Sequence, residues 1–317
     1  MAHSITRPAV PLLLAGLLSL GTAPLTAQQG GEDAAATRSA EAERGTVGTI
    51  LVAHGSDADW NRPVLEIAEQ APTGGPTEVA LLMGDHVAEH RFQDAAARLV
   101  EQGADRIVVV PLLASSHSSH YDQVRYLTGD LEDLSETMMH HLHVAGIHRA
   151  EVDVPIRLTS ALDASMEIAD ILAERALAQT DDPSDQALYI VGHGPNAAEH
   201  NARWMENLRL VADSVATLTG FRDVKLGMVR DDAPDPVRAE AVRSIREIIE
   251  LQHALTRRDV VVVPILISKG YVTGKLRKDL AGLPVIFDGE GLLPHPALAA
   301  WIARRVAEAD RQLQASR

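Results

Sequence analysis

Apolar residues along the chain follow two alternating patterns. Short unbroken runs rich in valine and isoleucine fall near residues 49–53, 78–83, 106–113 and 152–157, and again near 187–191, 224–229, 259–267 and 284–287. Between them, apolar positions return every third or fourth residue, near 63–70, 91–102, 121–127 and 165–178, then near 197–217, 236–251, 274–280 and 296–313. Uninterrupted apolar strands joined by amphipathic helices predict parallel sheets buried on both faces, because a parallel connection needs a crossover and the crossover helix covers the sheet. The expected fold class is therefore α/β.

The pattern occurs twice. Leu51-Val52-Ala53-His54-Gly55-Ser56 is echoed by Ile190-Val191-Gly192-His193-Gly194-Pro195, and the run from Val108 through Pro111 to His117 is echoed by Val261 through Pro264 to Gly270. The closing helices correspond as well, Ile168 to Arg175 with Ala299 to Arg305. Agreement at this many places predicts two similar domains, 46–180 and 187–317, joined by the polar linker at 180–186. The halves differ at one telling place, since the first ends its Ser-rich turn at His117 where the second has Gly270.

Ahead of this, Arg7, an apolar run from Pro8 to Leu20 and small residues ending at Ala27 predict an export signal over 1–27, and hence a periplasmic or secreted protein. The apolar run is short and broken by Pro and Gly, so no membrane span is expected in the mature chain. Residues 28–45 have a solvated tether's composition. With no cysteine, the chain lacks disulfides and thiolate ligands, and a formal net charge of −15 disfavours nucleic acid and anionic membranes as partners. Aromatic content of 3% argues against a base-stacking platform. No phosphate loop or nucleophile elbow is present, which disfavours nucleotide use and acyl transfer.

The candidate chemistry lies past the strand ends, where open parallel sheets bind ligands. His54 and His117 would follow two strands of one sheet, and two neutral imidazoles converging there suit divalent iron, cobalt, nickel or zinc while leaving positions open for exchange. His120 is either a candidate third ligand or, on balance, a solvated first-turn histidine, Ser115 and Ser116 are turn residues or substrate contacts, and His193 is a vestigial or cleft-lining counterpart of His54. His86 and His90 are peripheral possibilities. The run Met138-Met139-His140-His141-Leu142-His143, with His148, is either a metal-collecting tract or, on balance, a surface connection.

These residues resemble the class II tetrapyrrole chelatases of the sirohydrochlorin chelatase type (CbiX/SirB-like), in a long form with two fused copies. The likeness covers about residues 46–313 and rests on Leu51 to Ser56, Gly103 to Leu112 and Leu292 to Pro296. It implies two chelatase-like domains that face each other within one chain, a monomer with an internal pseudo-dimer. It further implies insertion of Co2+ or Fe2+, with Ni2+ as another candidate, into sirohydrochlorin or a related tetrapyrrole. His54 and His117 would be the catalytic and metal-binding pair, with His120 as the other candidate for the second position. An exported metal scavenger or carrier without turnover, or a tetrapyrrole binder without metal exchange, are the alternatives.

Overall fold

The structure is a computed structural model that describes residues 45–315; the signal and nearly all of the tether lie outside the described residues. Among the described residues, eight strands form two four-stranded, wholly parallel sheets. The first is built from β1 (Val47–Ala53), β2 (Thr77–Leu81), β3 (Arg106–Leu112) and β4 (Ile156–Leu158), in the order β2-β1-β3-β4. The second contains β5 (Ala187–Gly192), β6 (Asp223–Met228), β7 (Val260–Ile265) and β8 (Val285–Ile286), in the equivalent order β6-β5-β7-β8. The helices are α1 (Ala58–Gln70), α2 (Phe92–Glu101), α3 (Ser119–Thr128), α4 (Glu136–Ala145), α5 (Met166–Leu177), α6 (Ala198–Thr219), α7 (Asp235–Thr256), α8 (Tyr271–Asp279) and α9 (Pro296–Ala315). Among the described residues no helix is long and apolar enough to cross a membrane.

Every residue of β1 and β3 is buried, as expected of strands covered on both faces. Side chains alternate between two cores: Leu51 and Ala53 face one, Ile50 and Val52 the other. The outer faces close separately. On the first sheet Ile50, Val109 and Phe92 pack together, and on the second Tyr189, Val262 and Ile249 do so. The inner faces share a single core, which unites Leu51 and Val110 with Ile190 and Val263.

That shared core is bound by an exchange of helices. The closing helix of the first half, α5, packs on β7 and α6 of the second, while α9, the last helix, packs on β3, β4 and α1 of the first. The second contact carries a buried ion pair: Arg106 at the start of β3, 2% exposed, donates to Asp310 of α9 and, at 2.6 Å, to Asp105. The two halves thus have cores of their own only on their outer faces.

Two of the differences from the sequence expectation bear on the site. The helix expected to start at Pro63 begins at Ala58, because Asp57 caps it by accepting the Trp60 N–H at 2.9 Å, and Pro63 sits inside it. The His/Met run expected as a surface connection is the helix α4, capped by Ser135 and ended by Gly146 in the left-handed region.

Candidate metal and ligand cleft

Strand register decides where the site lies. Ala53 pairs with Leu112 and Gly192 with Ile265, so β1 and β3 end level with each other, as do β5 and β7. In each sheet the chain leaves this central pair in opposite directions, which opens a crevice beyond the carboxyl ends. The crevices merge into a cleft of about 540 Å³ lined by residues from both halves.

His54 enters the cleft because β1 ends in a His-Gly turn. Gly55 has φ +82°, and a β-carbon there would lie 2.0 Å from the Met83 carbonyl oxygen, so the turn requires glycine. His54 Nδ1 lies 2.7 Å from the Gly55 carbonyl oxygen, which can only accept; Nδ1 therefore carries the proton and Nε2 keeps its lone pair. His193 repeats this in the second half, with Nδ1 2.8 Å from the Gly194 oxygen and Nε2 3.4 Å from Asp232 Oδ2.

The second imidazole beside His54 is His120. Ser118 caps α3 by accepting the Tyr121 N–H, which sets His120 in the first turn of the helix. The rings of His54 and His120 meet edge to face with centroids 4.5 Å apart. Gln123, fully buried, donates through Nε2 to the Met138 carbonyl at 3.1 Å and so presents Oε1 to His120 Nδ1 at 2.8 Å. His120 Nδ1 must then donate, and its Nε2 is left free as a ligand. The same glutamine ties α3 to α4, the helix that brings Met138 and His141 to the cleft wall; His141 Nδ1 is buried without a hydrogen-bond partner.

Burial lowers both pKa values. It pushes His120 down to about 4, with the neighbouring His54 adding to the shift, and it holds His54 below the ordinary imidazole value, with His193 and His141 opposing a further positive charge. Both are neutral at neutral pH, the form in which imidazole binds metal. In the second half, Asp231 is buried, which by itself raises its pKa. Hydrogen bonds from Lys275 and Arg238 outweigh that effect and lower it. His193, Asp231 and Asp232 bring their ligand atoms within 4.8 Å of one another.

Of the residues singled out in the sequence, His54, His120, His193 and Ser115 line the cleft. His117 is not among the lining residues: it precedes the Ser118 cap, with its N–H donated to Ser115 Oγ at 3.0 Å. The geometry pairs His54 with His120 instead. Ser116 does not line the cleft either. Its hydroxyl donates to Asp163 Oδ2 and accepts the Ala161 N–H, and Asn207 of α6 also reaches Asp163, so Ser116 helps hold the halves together. His86 and His90 flank a single 3-10 turn away from the lining. Sequence reasoning missed Trp60 and Trp204 as lining groups, and left His141 and Met138 outside the site. Counted from the ends of β3 and β7, the position of His120 is filled by the buried Thr273, so at these equivalent positions the second half offers one imidazole where the first offers two.

Comparison with known proteins agrees with this architecture. Residues 48–179 match the CbiX family model. A stretch of 69 residues is 41% identical to the sirohydrochlorin cobaltochelatase of Sulfolobus acidocaldarius; it amounts to 21% of this chain and 54% of that protein, so the chain spans about half the length of this curated relative. Among solved structures, SirB from Bacillus subtilis with Fe3+ is similar over 84% of this chain and 96% of its own, with a TM-score of 0.59 at 15% identity. SirB from Bacillus subtilis subspecies spizizenii in complex with cobalt gives a TM-score of 0.54 at 15% identity, with the same coverage. At these identities the likeness to the solved structures is one of fold.

Proposed function

The chain belongs, through residues 48–179, to the CbiX family, and from that membership we propose that it is a tetrapyrrole chelatase. In this reading it inserts a divalent transition metal, Co2+ or Fe2+, into a macrocycle held between the two sheets. The observation that carries the reading is the pair of neutral imidazoles, His54 and His120, with free Nε2 atoms at the floor of a cleft walled by both halves.

The metal is a substrate here. His54 and His120 would hold it through Nε2, and their low proton affinity means that little proton competition opposes uptake at neutral pH. Two ligands leave coordination positions vacant for incoming macrocycle nitrogens. Each divalent ion that enters displaces two pyrrole N–H protons. His193, whose Nε2 lies 3.4 Å from Asp232 Oδ2 on the cleft wall, is the base placed to take the two protons in turn, passing the first to solvent before it receives the second. The export pattern of residues 1–27 supports action outside the cytoplasm.

Incubating the purified protein with Co2+ or Fe2+ and a free-base tetrapyrrole, and following the absorption spectrum, tests this. Metal insertion faster than the uncatalysed reaction, and lost in His54→Ala, is expected. No acceleration with any tetrapyrrole and either metal would sink the enzyme reading and leave the carrier.

A further inference from the structure

Where α6 begins, the second half leaves open a corner that the first half closes with a carboxylate of its own. Resting on the tetrapyrrole reading above, we propose that Arg230, beside the uncapped start of α6, receives a carboxylate arm of the macrocycle and so anchors the ring to the second half.

Comparison of the two halves supplies the first observation. The Met83 N–H donates to the His54 carbonyl at 3.0 Å, and the Arg230 N–H donates to the His193 carbonyl at 2.7 Å. Arg230 thus occupies the position of Met83, a residue of the cleft wall. In the first half the helix after the His-Gly turn is closed by Asp57, whose carboxylate accepts the Trp60 N–H. In the second half the N-cap is Ala197, which makes no side-chain cap, and the helix runs for 22 residues. Its N-terminal N–H groups, at the positive end of the helix dipole, follow directly on the lining residues Pro195 and Asn196.

Arg230 places a full charge at that corner. Its Nε donates to the Pro195 carbonyl at 3.2 Å and its Nη2 to the Asn196 carbonyl, which pins the guanidinium against both lining residues. Among the described residues no carboxylate pairs with it. Other cations nearby are held: Lys275 Nζ lies 2.6 Å and Arg238 Nε 3.0 Å from Asp231, and Lys269 Nζ lies 2.8 Å from Glu290. Asp232 faces His193. A guanidinium presents five N–H groups in a planar fork, so the Nη1 pair is left for a carboxylate. Trp204, on the same helix and 7% exposed, lines the cleft with an Nε1–H that has no acceptor, a further donor left for a ligand. A formal net charge of −15 repels a polycarboxylate at long range, so a local cation is what favours its seating.

The test is a titration of the full-length protein, without metal, with three free-base macrocycles followed by absorbance and fluorescence. Sirohydrochlorin and uroporphyrin are octacarboxylates; tetrakis(N-methylpyridinium)porphyrin is a cation of similar ring size. Arg230→Met, which installs the residue of the first half, should weaken both octacarboxylates by at least about tenfold at low salt and leave the cation within about twofold. The difference from wild type should shrink as salt rises. Arg230→Lys keeps the charge without the fork and should bring the octacarboxylates back to within about threefold of wild type. Octacarboxylate binding unmoved by Arg230→Met overturns the subsite and leaves the chelatase reading standing. So does an equal loss for all three macrocycles in both variants, the result expected if Arg230 only braces the turn at Pro195 and Asn196. Failure of the wild-type protein to bind any of the three overturns both.

Discussion

A buried imidazole that stays neutral leaves a mark on the pH dependence of folding. His120 titrates near pH 4 in the folded protein and near 6.5 when unfolded, so between those values the unfolded chain binds a proton that the folded chain does not. Its contribution is complete above pH 6.5 and is lost as pH falls toward 4; His54, shifted in the same direction, adds to the decline. Urea denaturation at pH 7 and pH 4.5 should therefore show a smaller loss on acidification in His120→Gln, by on the order of 2 kcal/mol. An unchanged loss would show that His120 takes up its proton as readily in the fold as in the unfolded chain. The same residue separates two ligand assignments. By isothermal titration with Co2+, His54→Ala and His120→Ala should each weaken uptake by more than about a hundredfold, beyond what disturbing an outer-shell partner costs, whereas His117→Ala should leave it nearly intact. Aligning the two halves draws the eye to His117 because it stands opposite Gly270. The choice of His120 depends instead on where α3 begins, and that is fixed by the Ser118 cap rather than by the repeat.

At the level of elements, the strands and most helices were legible because each buries a continuous or periodic set of apolar side chains. The helix α4 was not, and its composition explains why: of its ten residues only Leu142 is buried, so no apolar stripe marked it. Its signals were its ends, Ser135 and Gly146. Ser135 Oγ accepts the Met138 N–H at 3.4 Å, and Ser135→Ala should cost about 1 kcal/mol, seen as faster amide exchange confined to α4. Met138 and His141 would loosen with it, and so would the carbonyl that orients Gln123 toward His120. An unaltered exchange pattern would show that packing on α3 alone holds the helix. The register of β1 against β3 was likewise readable only as a tendency of strand ends to align; the level ends that bring His54 and His120 together are a property of the assembled sheet.

Across the whole molecule, the helix exchange makes the halves interdependent in a way that no periodicity announces, since an amphipathic helix does not state which sheet it will cover. The buried Arg106–Asp310 pair fastens α9 to the first sheet. Asp310→Ala would leave the guanidinium short of a partner in the interior and should cost about 3 kcal/mol, measured by denaturant midpoint. A loss under about 1 kcal/mol would mean that the contacts remaining to Arg106, Asp105 among them, satisfy it. The duplicated strand pattern was visible in sequence; its crossing over at the ends was not.

The replacement of His120's counterpart by Thr273 gives the crevice a front and a back. Where both walls are spelled out by one gene, each can drift separately, so imidazoles gather on one bank, with His54, His120 and His141, while the opposite bank sets the carboxylates of Asp231 and Asp232 beside His193. The two banks are then not interchangeable, and whatever spans them meets a different set of groups on each side.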